Sequence, residues 1–206
     1  MTIIKFLLFL RYRLLFLFST FIFVFPILTS CTKEYYKAEP LNFLNFERLI
    51  IIAKSFRVKT NFQPALKDPF IGHLLPDPLL DATRRWGEHR FTVLGSQGSA
   101  LLTILKAEAV RENLSKREGI EGLLYEDQEL RIKMEVEVLL EIFNENGKVI
   151  ARMNAKSKRE RTFKEGLSIN ARDERLMDME RHLFIDLDNA IFKEINQKIP
   201  QYFRAL

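Results

Sequence analysis

Residues 130–143 read Leu-Arg-Ile-Lys-Met-Glu-Val-Glu-Val-Leu-Leu-Glu-Ile-Phe. Leu130, Ile132, Met134, Val136, Val138, Leu140 and Ile142 alternate with Arg131, Lys133, Glu135, Glu137, Leu139, Glu141 and Phe143. A period of two over this length specifies a long strand with one buried face. Asn146-Gly147 follows, a pair that accepts positive φ and so marks a hairpin turn. Val149, Ala151, Met153 and Ala155 alternate again on the return strand. The outer face of this hairpin carries both charge signs together with Leu139 and Phe143, which makes it a candidate docking surface for a partner strand or protein.

Upstream of the hairpin, residues 48–58 (RLIIIAKSFRV) hold three consecutive isoleucines, as expected of one buried strand. A loop punctuated by Pro64, Pro69 and Gly72 leads to Pro76-Asp77-Pro78. That triplet opens a helix with Asp77 as N-cap and Pro78 at the favoured first position. Leu79, Ala82, Thr83 and Trp86 fall on one face of it. Gly95 and Gly98 place a turn after the helix, and residues 100–111 are expected as a strand. Downstream, Ser168 or Asn170 starts a long amphipathic helix over roughly residues 172–198, stopped by Pro200. Asp173 and Glu174 are expected in its first turn, where the helix dipole favours acids. The order β-α-β-β-β-α predicts an α+β fold, an approximately four-stranded, largely antiparallel sheet with two helices on one face.

The first thirty residues have a different character. Lys5, Arg11 and Arg13 precede an apolar run at 14–28, and small residues follow it. This is the layout of a secretory signal. As a helix the run would span roughly 22 Å at about 1.5 Å per residue, short for a hydrocarbon core of about 30 Å. Without these thirty residues the chain carries 29 Lys and Arg against 27 Asp and Glu, so its formal charge falls from +5 to +2. A nucleic-acid partner then loses its compositional support. The expected organisation is a signal at 1–30, a tether at 31–45 and one domain at 46–206.

Few residues suggest chemistry. The single Cys excludes a disulfide framework and a multi-Cys zinc site. His73, His89 and His182 are far apart in sequence, and no nucleophile motif accompanies them. Asp173, Glu174, Asp178 and Glu180 read as a solvated helix start rather than an acid–base pair. The expectation is a protein without catalytic residues, cofactor or metal. Trp86 is either core or a binding anchor. Residues 156–164 (KSKRERTFK) hold Lys156, Lys158, Arg159, Arg161 and Lys164 with one acid, either as a basic patch for anionic headgroups or lipopolysaccharide phosphates or as a protected strand edge.

Leu28-Thr29-Ser30-Cys31 closes the apolar run and resembles the bacterial lipobox. The resemblance implies cleavage before Cys31 and acylation of its thiol and new amino group. Two or three acyl chains hold a domain on a membrane stably, whereas one holds it only marginally. The chain thus resembles small Gram-negative envelope lipoproteins. There, Thr32 rather than Asp after the Cys implies export to the outer membrane, facing the periplasm. The element order over 46–200 is similar to that of the lipopolysaccharide-assembly lipoproteins (LptE) and of ABC-transport auxiliary lipoproteins. Residues 76–110, with Trp86, Arg90, Gly95, Gly98 and Ala107, resemble uncharacterised alphaproteobacterial lipoproteins. The resemblance transfers one residue, Cys31, as the lipidation site. It implies a non-catalytic accessory with an envelope-protein or lipopolysaccharide partner. The alternatives are an auxiliary subunit of an ABC lipid transporter and, less favoured, a periplasmic hydrolase.

Overall fold

A computed structural model describes residues 39–114, 128–164 and 166–204, all within the compact unit Lys37–Leu206. The signal segment, Cys31 and Thr32 lie outside the described residues. The elements are β1 (Leu49–Ile51), β2 (Ser55–Thr60), α1 (Leu79–Arg90), β3 (Phe91–Val93), β4 (Ser99–Asn113), β5 (Gln128–Phe143), β6 (Val149–Lys164), α2 (Ile169–Lys198) and β7 (Phe203–Arg204), with a 3-10 turn Pro200–Tyr202 before the last.

The fold is α+β. A four-stranded sheet has the order β2-β4-β5-β6, parallel at β2–β4 and antiparallel elsewhere. Both helices pack on one of its faces. Gly87 in α1 shows how closely: a Cβ there would come within 2.6 Å of Leu102 Cδ2. Trp86 from α1 meets Phe184 from α2 at 6.4 Å between ring centroids. Beneath them lie Leu102, Ile104, Ile132, Met134, Val136, Val138, Leu140 and Phe163, all buried.

A second sheet, β3-β1-β7, departs from the sequence expectation. Residues 48–58 are not one strand. The chain leaves the small sheet after Ile51 and enters the large one at Ser55, turning through buried Ala53. Consecutive isoleucines carry no alternation that would reveal such a break. β3 follows α1 directly, ahead of the Gly95–Gly98 turn, and pairs parallel with β1. Gly98 has φ +70°, and a Cβ there would sit 2.5 Å from the Phe143 carbonyl oxygen, so glycine is required.

β4 spans the expected strand, but its register shifts between Ile104 and Lys106. This bulge moves the buried set from Ala100, Leu102 and Ile104 to Ala107 and Ala109, which is why the alternation is unclear in sequence. At the β5–β6 turn only Gly147 has positive φ, at +75°. Asn144 supplies the rest, its Oδ1 accepting from the backbone N–H of Asn146 (3.1 Å) and Lys148 (2.9 Å).

Both helix starts differ in detail. α1 is capped at Pro78 without a side-chain hydrogen bond, so Asp77 is not its N-cap. α2 begins at Ile169, with the Ser168 hydroxyl accepting the Ala171 N–H at 3.2 Å. Its first turn therefore contains no acid, and Asp173 and Glu174 lie beyond it.

The segment 39–45 does not hang free. Leu41 and Phe43 are buried, and the Phe43 ring packs edge-on against Phe184 at 5.0 Å. Folded chain thus reaches back into the expected tether.

Candidate functional site

Alternation along β6 divides the basic run of residues 156–164 between two faces. Lys156 and Lys158 share the open face of the sheet with Glu135 and Glu137. Arg159 and Arg161 point to the helix side, where Arg159 Nε donates to Asp186 at 2.6 Å and Arg161 Nη2 to Asp178 at 3.0 Å. Both arginines are therefore pinned to α2 rather than offered to an anionic surface. A period of two splits any run of like charges in a strand.

On the open face, Glu135 is the centre of a cross-strand ladder. Lys106 and Lys158 each lie 3.3 Å from it, and Lys156 also contacts it while lying 3.3 Å from Glu137. Burial works against the Glu135 charge. Hydrogen bonds from Lys156, Lys106 and Lys158 prevail and hold its carboxyl below the ordinary carboxylate range. Lys133 donates to Glu112 at 2.6 Å, and Arg152 lies 2.7 Å from Glu141. These cations are balanced by acids of the same sheet, whereas Arg57 and Lys59 of β2, exposed on the same face, have no ion pair among the described residues. At the other end Leu101, Leu139 and Phe143 are partly exposed and Ile150 is 43% exposed, around the Glu141–Arg152 pair and beside Arg57 of β2.

Trp86, a candidate anchor, has no accessible surface and belongs to the core. It stacks among Phe91 and Phe184 and is unable to meet a partner. Among the described residues no cluster of His, Cys, Asp or Glu is placed to hold a metal ion. The histidines have separate environments: His89 Nε2 is 3.3 Å from the Phe46 carbonyl oxygen, and His182 Nδ1 is 2.8 Å from that of Asp178. The His73 Nδ1 is buried without a hydrogen bond.

Two buried polar sites between α1 and α2 are not legible in the sequence. Asp77 accepts the Leu41 N–H at 2.8 Å and the Arg85 guanidinium at 2.5 and 2.7 Å. Near this pair, Glu180 is fully buried, and neither carboxyl oxygen has a hydrogen bond. Burial, with repulsion from Asp77, pushes its carboxyl up to about 9 against a weaker pull from Arg85. Glu180 therefore keeps its proton at neutral pH, contrary to the reading of a solvated cluster. At the other end of α1, Arg90 pairs with Asp188 through Nε (2.5 Å) and Nη2 (3.1 Å). Burial still raises the Asp188 carboxyl, although Arg90 opposes it.

No family model matches the chain, and no curated protein matches it. Solved structures that are similar in part include two bacterial lipoproteins. One is a minor lipoprotein from Acinetobacter baumannii, at TM-score 0.38 and 12% identity, covering 76% of this chain and 99% of that one. The other is rare lipoprotein B from Shewanella oneidensis, at TM-score 0.38 and 10% identity, covering 71% and 98%. Likeness at this level leaves the class of this chain to its own residues, which define an α+β domain with one open sheet face.

Proposed function

We propose that this protein is a membrane-anchored, non-catalytic binding module of the bacterial envelope, tethered through acylated Cys31 and facing the periplasm. The observation that carries the reading is the spacing between Cys31 and Leu41. Leu41 is buried, and its backbone is clamped by Asp77. Ten residues of fully extended chain reach roughly 33 Å at about 3.3 Å each. Lipid at Cys31 would hold the domain within that distance of the bilayer, short enough to confine it to partners in or on the same membrane. The open sheet face is the surface for such a partner. Lys106, Lys133, Lys156 and Lys158 are paired with acids of the same face, and Leu139, Phe143 and Ile150 around the Glu141–Arg152 pair supply apolar area for burial. The exposed apolar residues favour an envelope protein on this surface, while Arg57 and Lys59 of β2, exposed on the same face without an ion pair among the described residues, leave lipopolysaccharide phosphate as the alternative occupant. Thr32 supports an outer-membrane destination.

In-cell cross-linking followed by mass spectrometry tests this, comparing the wild type with Cys31→Ser and Phe143→Asp. The expected result is one envelope protein captured by the wild type and lost from both variants. Capture that is unchanged in Cys31→Ser overturns the anchoring argument. Capture lost in Cys31→Ser but intact in Phe143→Asp overturns the choice of face.

A further inference from the structure

The four-stranded sheet has two edges, and they differ. β6 forms one over 16 residues, and its cations are engaged: Lys156 and Lys158 reach Glu135, and Arg159 and Arg161 reach Asp186 and Asp178. β2 forms the other over 6 residues. It pairs with β4 alone, and no backbone hydrogen bond reaches its outer edge among the described residues. Such an edge is a template for a further strand.

The two faces of β2 say what that strand would carry. Phe56 and Val58 are half-buried on the helix side. The Phe56 ring lies 5.3 Å from that of Phe91, and a Cβ on Gly87 of α1 would sit 3.4 Å from Val58 Cγ2. Arg57 and Lys59 are exposed on the open face, in register with Leu101 and Thr103 of β4, and have no ion pair among the described residues. At about 3.3 Å per residue they stand roughly 6.6 Å apart, the spacing of alternate side chains on an adjoining strand. Opposite charges directly across a strand pair stabilise it, and like charges destabilise it. A second copy of β2 therefore does not fit, because antiparallel pairing about Val58 sets Arg57 against Lys59. A phosphate group would use the cations and leave the edge unpaired. An acidic extended segment uses both, its main chain supplying affinity and its alternate side chains specificity.

We propose that β2 takes up an extended segment of a partner protein as a fifth strand, with Asp or Glu at alternate positions against Arg57 and Lys59 and apolar residues between them beside Phe56 and Val58. This rests on the reading of the domain as a binding module and gives the chemistry of its partner.

The test uses the full chain in phosphatidylcholine nanodiscs and a fluorescent octapeptide alternating Glu with Val. Binding is read by anisotropy and backbone protection by hydrogen–deuterium exchange. The expected result is saturable binding, with exchange slowed in residues 55–60 and unchanged in residues 149–164. Replacing Glu by Gln in the peptide removes the charge, N-methylating its backbone removes the main-chain donors, and each weakens binding at least tenfold. Arg57→Glu combined with Lys59→Glu, at exposed positions, weakens binding at least tenfold and admits a peptide with Lys in place of Glu. A Gln or N-methylated peptide that binds as well as its parent overturns the added acidic strand. Protection along residues 149–164 instead overturns the choice of edge. Displacement by low-millimolar inorganic phosphate at constant ionic strength overturns the partner in favour of a phosphate ligand. No binding of any peptide overturns the proposal, and the open-face reading survives that outcome where cross-linking in cells still captures an envelope protein that Phe143→Asp loses.

Discussion

Asp188 and Glu180 are two acids on α2 that face α1, Glu180 fully buried and Asp188 with 14% of its side chain exposed, and they find different partners. Asp188 has a guanidinium to itself: Arg90 reaches it with two nitrogens. Glu180 lies near Arg85, but Arg85 is already committed to Asp77. Both carboxyls are raised by burial, and Glu180, lacking any hydrogen bond, rises to about 9. A buried acid keeps its charge only when a base is free to face it. Proximity to a base that is already engaged gives little.

The largest expected effect breaks the paired site. Asp188→Ala leaves the Arg90 guanidinium buried and unable to shed its charge, and should cost about 3–5 kcal/mol in urea unfolding. A loss under 1 kcal/mol would show that water reaches Arg90 and that the pair is not truly buried.

Glu180→Gln acts in the other direction. The folded-state value lies above the ordinary 4.5, so the folded state binds the proton more tightly. The stability this group contributes is complete below pH 4.5 and is lost as pH rises toward about 9. Wild-type stability should therefore decline across that window, and the Gln variant should remove this part of the slope. At pH 7 the variant should be more stable by about 2–3 kcal/mol. Parallel pH profiles for the two proteins would contradict a protonated Glu180.

The smallest effect belongs to the open face. Lys158→Ala removes one of three lysines from Glu135. The lysine is 64% exposed, and surface pairs contribute about 0–1 kcal/mol. A thermal-melt comparison should show almost no change at physiological salt. A loss as large as that at Asp188 would mean that the ladder, rather than the core beneath it, holds β5 to β6.

The sequence by itself determined the period-two hairpin, the two amphipathic helices and the α+β class. These rest on periodicity, which is local and survives without neighbours: residues 130–143 must bury one face whatever lies opposite. Ser168 as a cap and Gly98 in a turn were legible for the same reason. The pattern of the first 31 residues was legible too, because a basic flank, an apolar run and a lone Cys need no tertiary context to be recognised. Only the tertiary structure decided the second sheet, since two-residue and three-residue strands leave no period to read. It also decided which charges are spent: the basic run divides between faces, Arg159 and Arg161 turn to α2, and Trp86 disappears into the core. In sequence Asp77 read as a helix N-cap and Glu180 as one of a solvated acidic cluster, and nothing in the local pattern marked Arg90 or Asp188 as paired in the interior. Their burial is set by the crossing of α1 and α2, two elements separated by the strands β3 to β6, and no window of sequence spans that contact.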